Sequence, residues 1–282
     1  MKIGVSVWSC HHYLQDGTWT NADFIDYAAS VGAQGVELLS IFWNAETDVP
    51  AVREALARTG LELACFGACN DFVRPSEAER AAALADIKNS VDMAALLGAR
   101  IVRVFAGDVK DGIGYDQGKT WIAQGLTEAA AYAQSRDIVL CLENHGVFAG
   151  RSEQVLELIR QVDSPALRST FDMGNFLLVD QEPGPSFQEL GPYISHVHAK
   201  DFKRVPEGTP GTYRTLGGQA YYVGVAPTEG DAGAADIVAR LEGIGYLGWL
   251  SVEYEGQEEQ KAGTAKAVKL LHGLVPDSKK HA

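Results

Sequence analysis

The feature of this 282-residue chain that most restricts its fold is an alternation repeated eight times. Short apolar runs bounded by turn residues read as strands: KIGVSVWS (2–9), GVELL (35–39), LELACFGA (61–68), RIVRVFAG (100–107), IVLCLE (138–143), RSTFDMG (168–174), ISHVHAK (194–200) and LSVEYEG (250–256). Segments of helical spacing lie between them. NADFIDYAASVG takes Asn21 as its N-cap and closes on Gly32. The helix after the third strand begins at Ser76 with Glu79 as a capping box and ends on Gly98. The sixth, GPSFQELGPYI, has room for two turns only. Such alternation implies a parallel sheet covered by helices. Eight units in this length fit a closed α/β fold, a single-domain (β/α)8 TIM barrel over residues 1–282, with a long loop after strand seven. A doubly wound open sheet fits less well, since no G-x-G-x-x-G follows any strand.

The long loop, DFKRVPEGTPGTYRTLGGQAYYVGVAPTEGDAG, is rich in Gly, Thr and Tyr and poor in periodicity. Loops of this length are usually functional or disordered, and plain disorder is the alternative reading. Leaving the C-terminal end of a barrel strand, it reads as a substrate lid or an oligomer contact. No run of about 18 apolar residues is present, so no membrane span is expected. The start, MKIGVSVWS, has a strand pattern without a secretory leader, and a cytoplasmic location is expected. Cys10, Cys65, Cys69 and Cys141 read as packed, reduced thiols. With 24 basic and 37 acidic residues the net charge is −13, which argues against a nucleic-acid partner. Lys279, Lys280 and His281 read as a solvated tail.

Ionisable residues end several of the apolar strands. Glu143 ends the fifth, and Asp172, His198 and Glu253 lie late in the sixth, seventh and eighth. In a barrel these positions gather at one mouth. Three carboxylates meeting without compensation would repel and raise one another's pKa. A divalent cation neutralises them and takes their oxygens as ligands. Glu143, Asp172, His198 and Glu253 supply three oxygens and one nitrogen, a set suited to octahedral Mn2+, Mg2+ or Co2+ better than to structural Zn2+. Mn2+ is the first expectation, with Mg2+, Co2+ or Zn2+ as alternatives. His196 shares a strand face with His198 and reads as a supporting or substrate-contacting group rather than a fifth ligand.

CLENHG, FDMGN, HVHAKD and SVEYEG, in this order at these strand ends, resemble the xylose-isomerase-like barrel superfamily of sugar-phosphate isomerases and epimerases. The resemblance runs from the first strand to the last helix. In the ketose 3-epimerases of this group, Glu, Asp, His and Glu on strands five to eight hold the metal, at positions that match Glu143, Asp172, His198 and Glu253. It implies a metal-dependent isomerase or epimerase acting on a ketose or keto-polyol. A proton next to a carbonyl is abstracted through an enediolate, with Glu143 and Glu253 as the acid/base pair.

Departures temper the match. The substrate-binding His that such epimerases carry three residues after the metal Asp is Asn175 here, kept as a candidate for substrate contact, and the Glu six after the first metal Glu is Ala149. Arg204, six after His198, matches a substrate-contacting Arg in spacing. HAKD, with Lys200 and Asp201, looks more like inosose dehydratases, which implies a second reading: a lyase or dehydratase on a 3-keto-glycoside or inosose at the same site. Lys200 either polarises a carbonyl or pairs with Asp201. His145 is a further candidate for substrate contact. Trp8 reads as a stacking wall for a sugar ring, with His11 and His12 at the rim and Phe105 and Trp43 as similar candidates. A phosphodiester-cleaving reading, that of the superfamily's abasic-site endonucleases, needs more His and acidic ligands and a basic surface, which the charge opposes. A sugar-binding protein with a dead site is the non-enzymatic reading. The partner expected is a small carbohydrate, and by analogy with barrels carrying a long mouth loop, a homodimer or homotetramer.

Overall fold

The computed structural model describes residues 1–275; the tail at Lys279, Lys280 and His281 lies outside the described residues. Eight parallel strands close into a barrel: β1 (Lys2–Ser6), β2 (Gly35–Leu39), β3 (Glu62–Gly67), β4 (Ile101–Val104), β5 (Val139–Glu143), β6 (Leu167–Asp172), β7 (Ile194–Ala199) and the last barrel strand, Trp249–Val252. They follow one another around the ring in chain order, and the last pairs with both β7 and β1. Helices between them cover the outside. The (β/α)8 expectation is met over the described residues.

Period-two alternation decides what the barrel contains. In β5, Leu140 and Leu142 face the helical layer while Cys141 and Glu143 face inward; in β7, Val197 and Ala199 face outward while His196 and His198 face inward. The outward residues are fully buried in the apolar core. Each large side chain there contributes about 1.5–3 kcal/mol from burial. The inward residues of the mouth half are polar and almost equally buried, so that end of the interior is not an apolar packed layer.

Helix ends follow the sequence signals, with one correction. Ser76 and Glu79 form the reciprocal capping box, and Gly98 closes that helix at φ 88°. The first long helix, Asn21–Ser30, is capped instead by Thr20, whose hydroxyl and the Asp23 carboxylate make the box one residue earlier. The short sixth segment is an eight-residue helix, Pro183–Leu190.

The long connection differs from its reading as an aperiodic loop. It holds a three-stranded antiparallel sheet, β8 (Asp201–Val205), β9 (Tyr213–Arg214) and β10 (Tyr221–Val225), in the order β8-β10-β9. β8 starts one residue after β7, so no turn residue marked the boundary. Asp201 ties the sheet to the return chain: its carboxylate accepts N–H bonds from Thr228, Gly230 and Ala232 at 3.0, 3.1 and 2.9 Å. Gly224 bridges to Gly256 beyond the last barrel strand; a Cβ at Gly224 would lie 2.2 Å from the Glu255 carbonyl oxygen, so only glycine allows this approach. All four cysteines are free thiols; Cys10, Cys65 and Cys141 are packed as read, whereas Cys69, just beyond β3, is exposed. No helix among the described residues is long and apolar enough to cross a membrane.

Candidate metal centre and active site

Register places the centre. Asp172 on β6 pairs with His198 on β7, and His198 pairs with Ser251 on the last strand, so their side chains share one layer. Glu143 ends β5 beside them, and Glu253 follows the last strand by one residue. Ligand atoms of Glu143, Asp172, His198 and Glu253 all lie within 4.8 Å of one another. His198 Nδ1 is 3.6 Å from Glu143 Oε1, Asp172 Oδ2 and Glu253 Oε2 alike.

Asp172 and His198 are each fixed by one atom and leave another toward this common point, which Glu143 Oε1 and Glu253 Oε2 also reach. Asp172 Oδ1 accepts the backbone N–H of Gly174 and Asn175 at 2.9 and 2.8 Å, while its Oδ2 has no hydrogen-bond partner. Asn144 clamps the Asp172 backbone, donating to its carbonyl at 3.0 Å and accepting from its N–H at 2.7 Å. Asn175 donates to Glu143 Oε1 at 3.0 Å. His198 spends Nε2 on Glu37, and its buried Nδ1 is without a partner. Buried polar atoms left unpaired are costly. Two such atoms, Asp172 Oδ2 and His198 Nδ1, aimed at one point with two further carboxylate oxygens fit an ion, whose ligands at about 2.1 Å stand roughly 3.0–3.6 Å apart. The donor set thus fits a divalent cation.

Electrostatics point the same way. Burial opposes charge on Glu143, yet His198, Arg103 and Lys200 hold it well below the carboxylate range. Burial likewise opposes charge on Glu37, and His198 with His196 outweighs it. His198 is raised well above its ordinary value, because Glu37, Glu253 and Glu143 overcome its burial. Lys200 is raised too, by Asp172, Glu253 and Glu255 against burial. Burial pushes Glu253 up to about 7 despite Lys200 and His198, with Glu143 and Asp172 adding repulsion. Four buried carboxylates, Glu37, Glu143, Asp172 and Glu253, thus share three cationic groups, Arg103, His198 and Lys200.

Beside these residues opens a cavity of about 210 Å3, lined by Trp8, Arg103, Phe105, Glu143, His145, Lys200, Glu253 and Glu255 among others. Trp8 forms one wall, its indole N–H donating to Glu255 at 2.8 Å. His145 packs against Phe105, ring centroids 5.0 Å apart. Lys200 does not pair with Asp201, whose oxygens take backbone N–H groups; its Nζ lies 2.5 Å from Glu253, 3.3 Å from Asp172 and 3.4 Å from Glu255. His196 is buried against Glu37 and does not line the cavity. His11 and His12 line a neighbouring groove with Tyr13 and Tyr213, His11 stacked on Trp8 at 4.3 Å. Trp43 packs edge-on against Phe66 at 5.2 Å, away from the cavity lining. Arg204 is exposed on β8 and is not among the lining residues.

Sequence reasoning passed over Glu37 and Arg103. Arg103 Nε is 3.1 Å from Glu143 Oε2, and its guanidinium lies 4.0 Å over the Phe105 ring. Both carried the signal used elsewhere, a charge inside an apolar strand, but sit mid-strand rather than at a strand's end.

Similarity to known proteins agrees with this architecture. Inosose dehydratase 1 from Bacillus cereus is 26% identical over 140 residues, covering 48% of this chain and 46% of that protein, so the chain spans about half the length of this curated relative. A D-tagatose 3-epimerase-like protein superposes with a TM-score of 0.77 at 20% identity over 97% of both chains. The IOLI protein, solved with a zinc atom bound, superposes with the same TM-score at 17% identity over 97% of this chain and 96% of its own. At such identities these structures share the fold. The sequence pattern of the xylose isomerase-like TIM barrel family matches residues 25–273. The chain belongs to the xylose isomerase-like TIM barrel family.

Proposed function

We propose that the protein is a divalent-metal-dependent isomerase or epimerase of a small, unphosphorylated ketose or keto-polyol. The observation that carries this is the convergence of Glu143, Asp172, His198 and Glu253 on one point, two of them, Glu143 and Glu253, lining a cavity of about 210 Å3. These four residues would hold the cation, with Mn2+ suiting their oxygen-rich set. When bound, such a cation polarises a neighbouring carbonyl and stabilises the enediolate left by proton loss. Glu143 and Glu253 act as the proton-transferring pair, one removing a proton beside the carbonyl and the other returning one. Trp8 supplies a flat apolar wall for a carbohydrate ring, and Glu255 and His145 offer hydrogen bonds to hydroxyls. Both cations lining the cavity, Arg103 and Lys200, are engaged by carboxylates, which favours a neutral substrate over a phosphate ester.

A second reading, elimination of water from an inosose or 3-keto-glycoside, is favoured by Lys200. Its ammonium lines the cavity beside Glu253, where a departing hydroxyl would develop negative charge. One experiment tests both. Mn2+-loaded protein is incubated in D2O with a panel of free ketoses and inososes, followed by NMR and mass spectrometry. Deuterium entering the carbon next to the ketone without loss of water marks isomerisation, and loss of water marks the lyase. Glu143→Gln is expected to slow exchange about 10²–10⁴-fold. Unchanged turnover in that variant would overturn the assignment.

A further inference from the structure

Glu37 stands in the middle of β2, fully buried, and its carboxylate accepts from two imidazoles. His196 Nε2 lies 2.8 Å from Oε2, and His198 Nε2 lies 3.2 Å from each oxygen. A neutral imidazole carries a single N–H, and the nitrogen bearing it cannot ligate a metal. With the proton of His198 on Nε2 facing Glu37, the lone pair is on Nδ1. That is the atom standing 3.6 Å from the carboxylate oxygens of Glu143, Asp172 and Glu253. Were the proton on Nδ1 instead, it would block the point where the four side chains meet.

We infer that Glu37 is a positioning residue of the metal centre: by accepting the Nε2–H of His198 it fixes that ring's rotation and tautomer so that Nδ1 faces the cation. His196, two residues earlier on the same strand face, bonds the same carboxylate and keeps it from turning away. The arrangement spans the barrel from β2 to β7, so a ligand on one strand is aimed by a residue of a distant one. The inference rests on the metal reading proposed above. Glu37, His196 and His198 also place ligand atoms within 4.8 Å of one another, as a second ion would require. The 2.8 Å separation of His196 and Glu37 is that of a hydrogen bond carrying its proton, which favours positioning over a second site.

The test compares wild type, Glu37→Gln and Glu37→Asp. Mn2+ is titrated by calorimetry, folding is checked by circular dichroism, and nitrogen-15 histidine NMR is recorded on Zn2+-loaded wild type. Expected are one ion per chain, His198 protonated on Nε2 with Nδ1 bound, and affinity weakened about 10–100-fold in both variants. Glu37→Asp retains the charge but not the reach, so wild-type affinity in that variant would reduce Glu37 to a mere charge and overturn the proposal. So would variants that lose thermal stability while binding Mn2+ as wild type does, a second ion per chain, or the opposite tautomer. Should neither variant fold, the wild-type NMR decides alone. Absence of binding to wild type would sink the metal reading and this proposal together; normal wild-type binding with unaffected variants would sink this proposal alone.

Discussion

Lys200 Nζ lies 2.5 Å from Glu253 Oε2 and 3.3 Å from Asp172 Oδ2, the same two oxygens that converge on His198 Nδ1. The ammonium and the proposed divalent ion would therefore address the same carboxylates. Removing the ammonium leaves buried charges without their partner, at a cost of about 3–5 kcal/mol. Lys200→Met is expected to lower the melting temperature of metal-free protein, to regain most of the loss with Mn2+, and to bind Mn2+ more tightly than wild type. Calorimetric scans with and without Mn2+, together with a titration, check all three.

Arg103 donates to the Ala68 carbonyl at 2.7 Å while its Nε faces Glu143 at 3.1 Å. The planar fork makes both contacts at once, which a lysine cannot reproduce. Arg103→Met should destabilise the metal-free protein by about 3–5 kcal/mol, since Glu143 loses a buried partner. Arg103→Lys should recover only part. Denaturant unfolding of the two variants measures the difference.

Acid–base linkage has a definite sign in the metal-free protein. Glu253, pushed up to about 7 by burial, binds a proton in the folded state that the unfolded chain releases at about 4.3, so its contribution falls as pH rises through that window. His198, raised by its carboxylate neighbours against burial, adds a loss from about 6.5 upward. Glu37 and Glu143, both depressed, contribute above about 4.3 and lose that contribution below it. Metal-free stability should therefore peak near about pH 5. Bound metal requires His198 deprotonated on Nδ1 and its carboxylates charged, so binding near neutral pH should release protons and weaken as pH falls. Titrations in buffers of different ionisation enthalpy would count them.

Asn144 holds both backbone groups of Asp172. Asn144→Ala leaves a buried N–H and C=O unpaired, for a loss of about 1–3 kcal/mol. Asn144→Asp keeps the acceptor and lacks the donor, so it should rescue incompletely. Mn2+ affinity should drop with stability in both, as read by melting curves and titration.

Much of this was legible in the chain because barrel chemistry is written at strand ends. Glu143, Asp172, His198 and Glu253 each interrupt an apolar run at its last turns, and the four meet in space. Glu37 and Arg103 interrupt their strands centrally, where the same signal competes with the expectation of an ordinary mid-strand residue, and only the closed ring shows what they face. Arg204 shows the opposite failure. Its spacing from His198 carried no information about direction, and β8 turns it to solvent. The sheet within the long connection was hidden because β8 follows β7 after Lys200 alone.

Asp201 closes that excursion at its base, binding the backbone on the far side of the sheet. The stretch 206–218 beyond it is also fastened to the barrel, Leu216 donating to the Leu178 carbonyl at 2.8 Å and Gln257 to that of Pro210 at 2.6 Å, and Gly211 and Tyr213 within it border the groove next to Trp8. A change of side chains there would reshape that groove while leaving the buried cluster of Glu143, Asp172, His198 and Glu253 as it is.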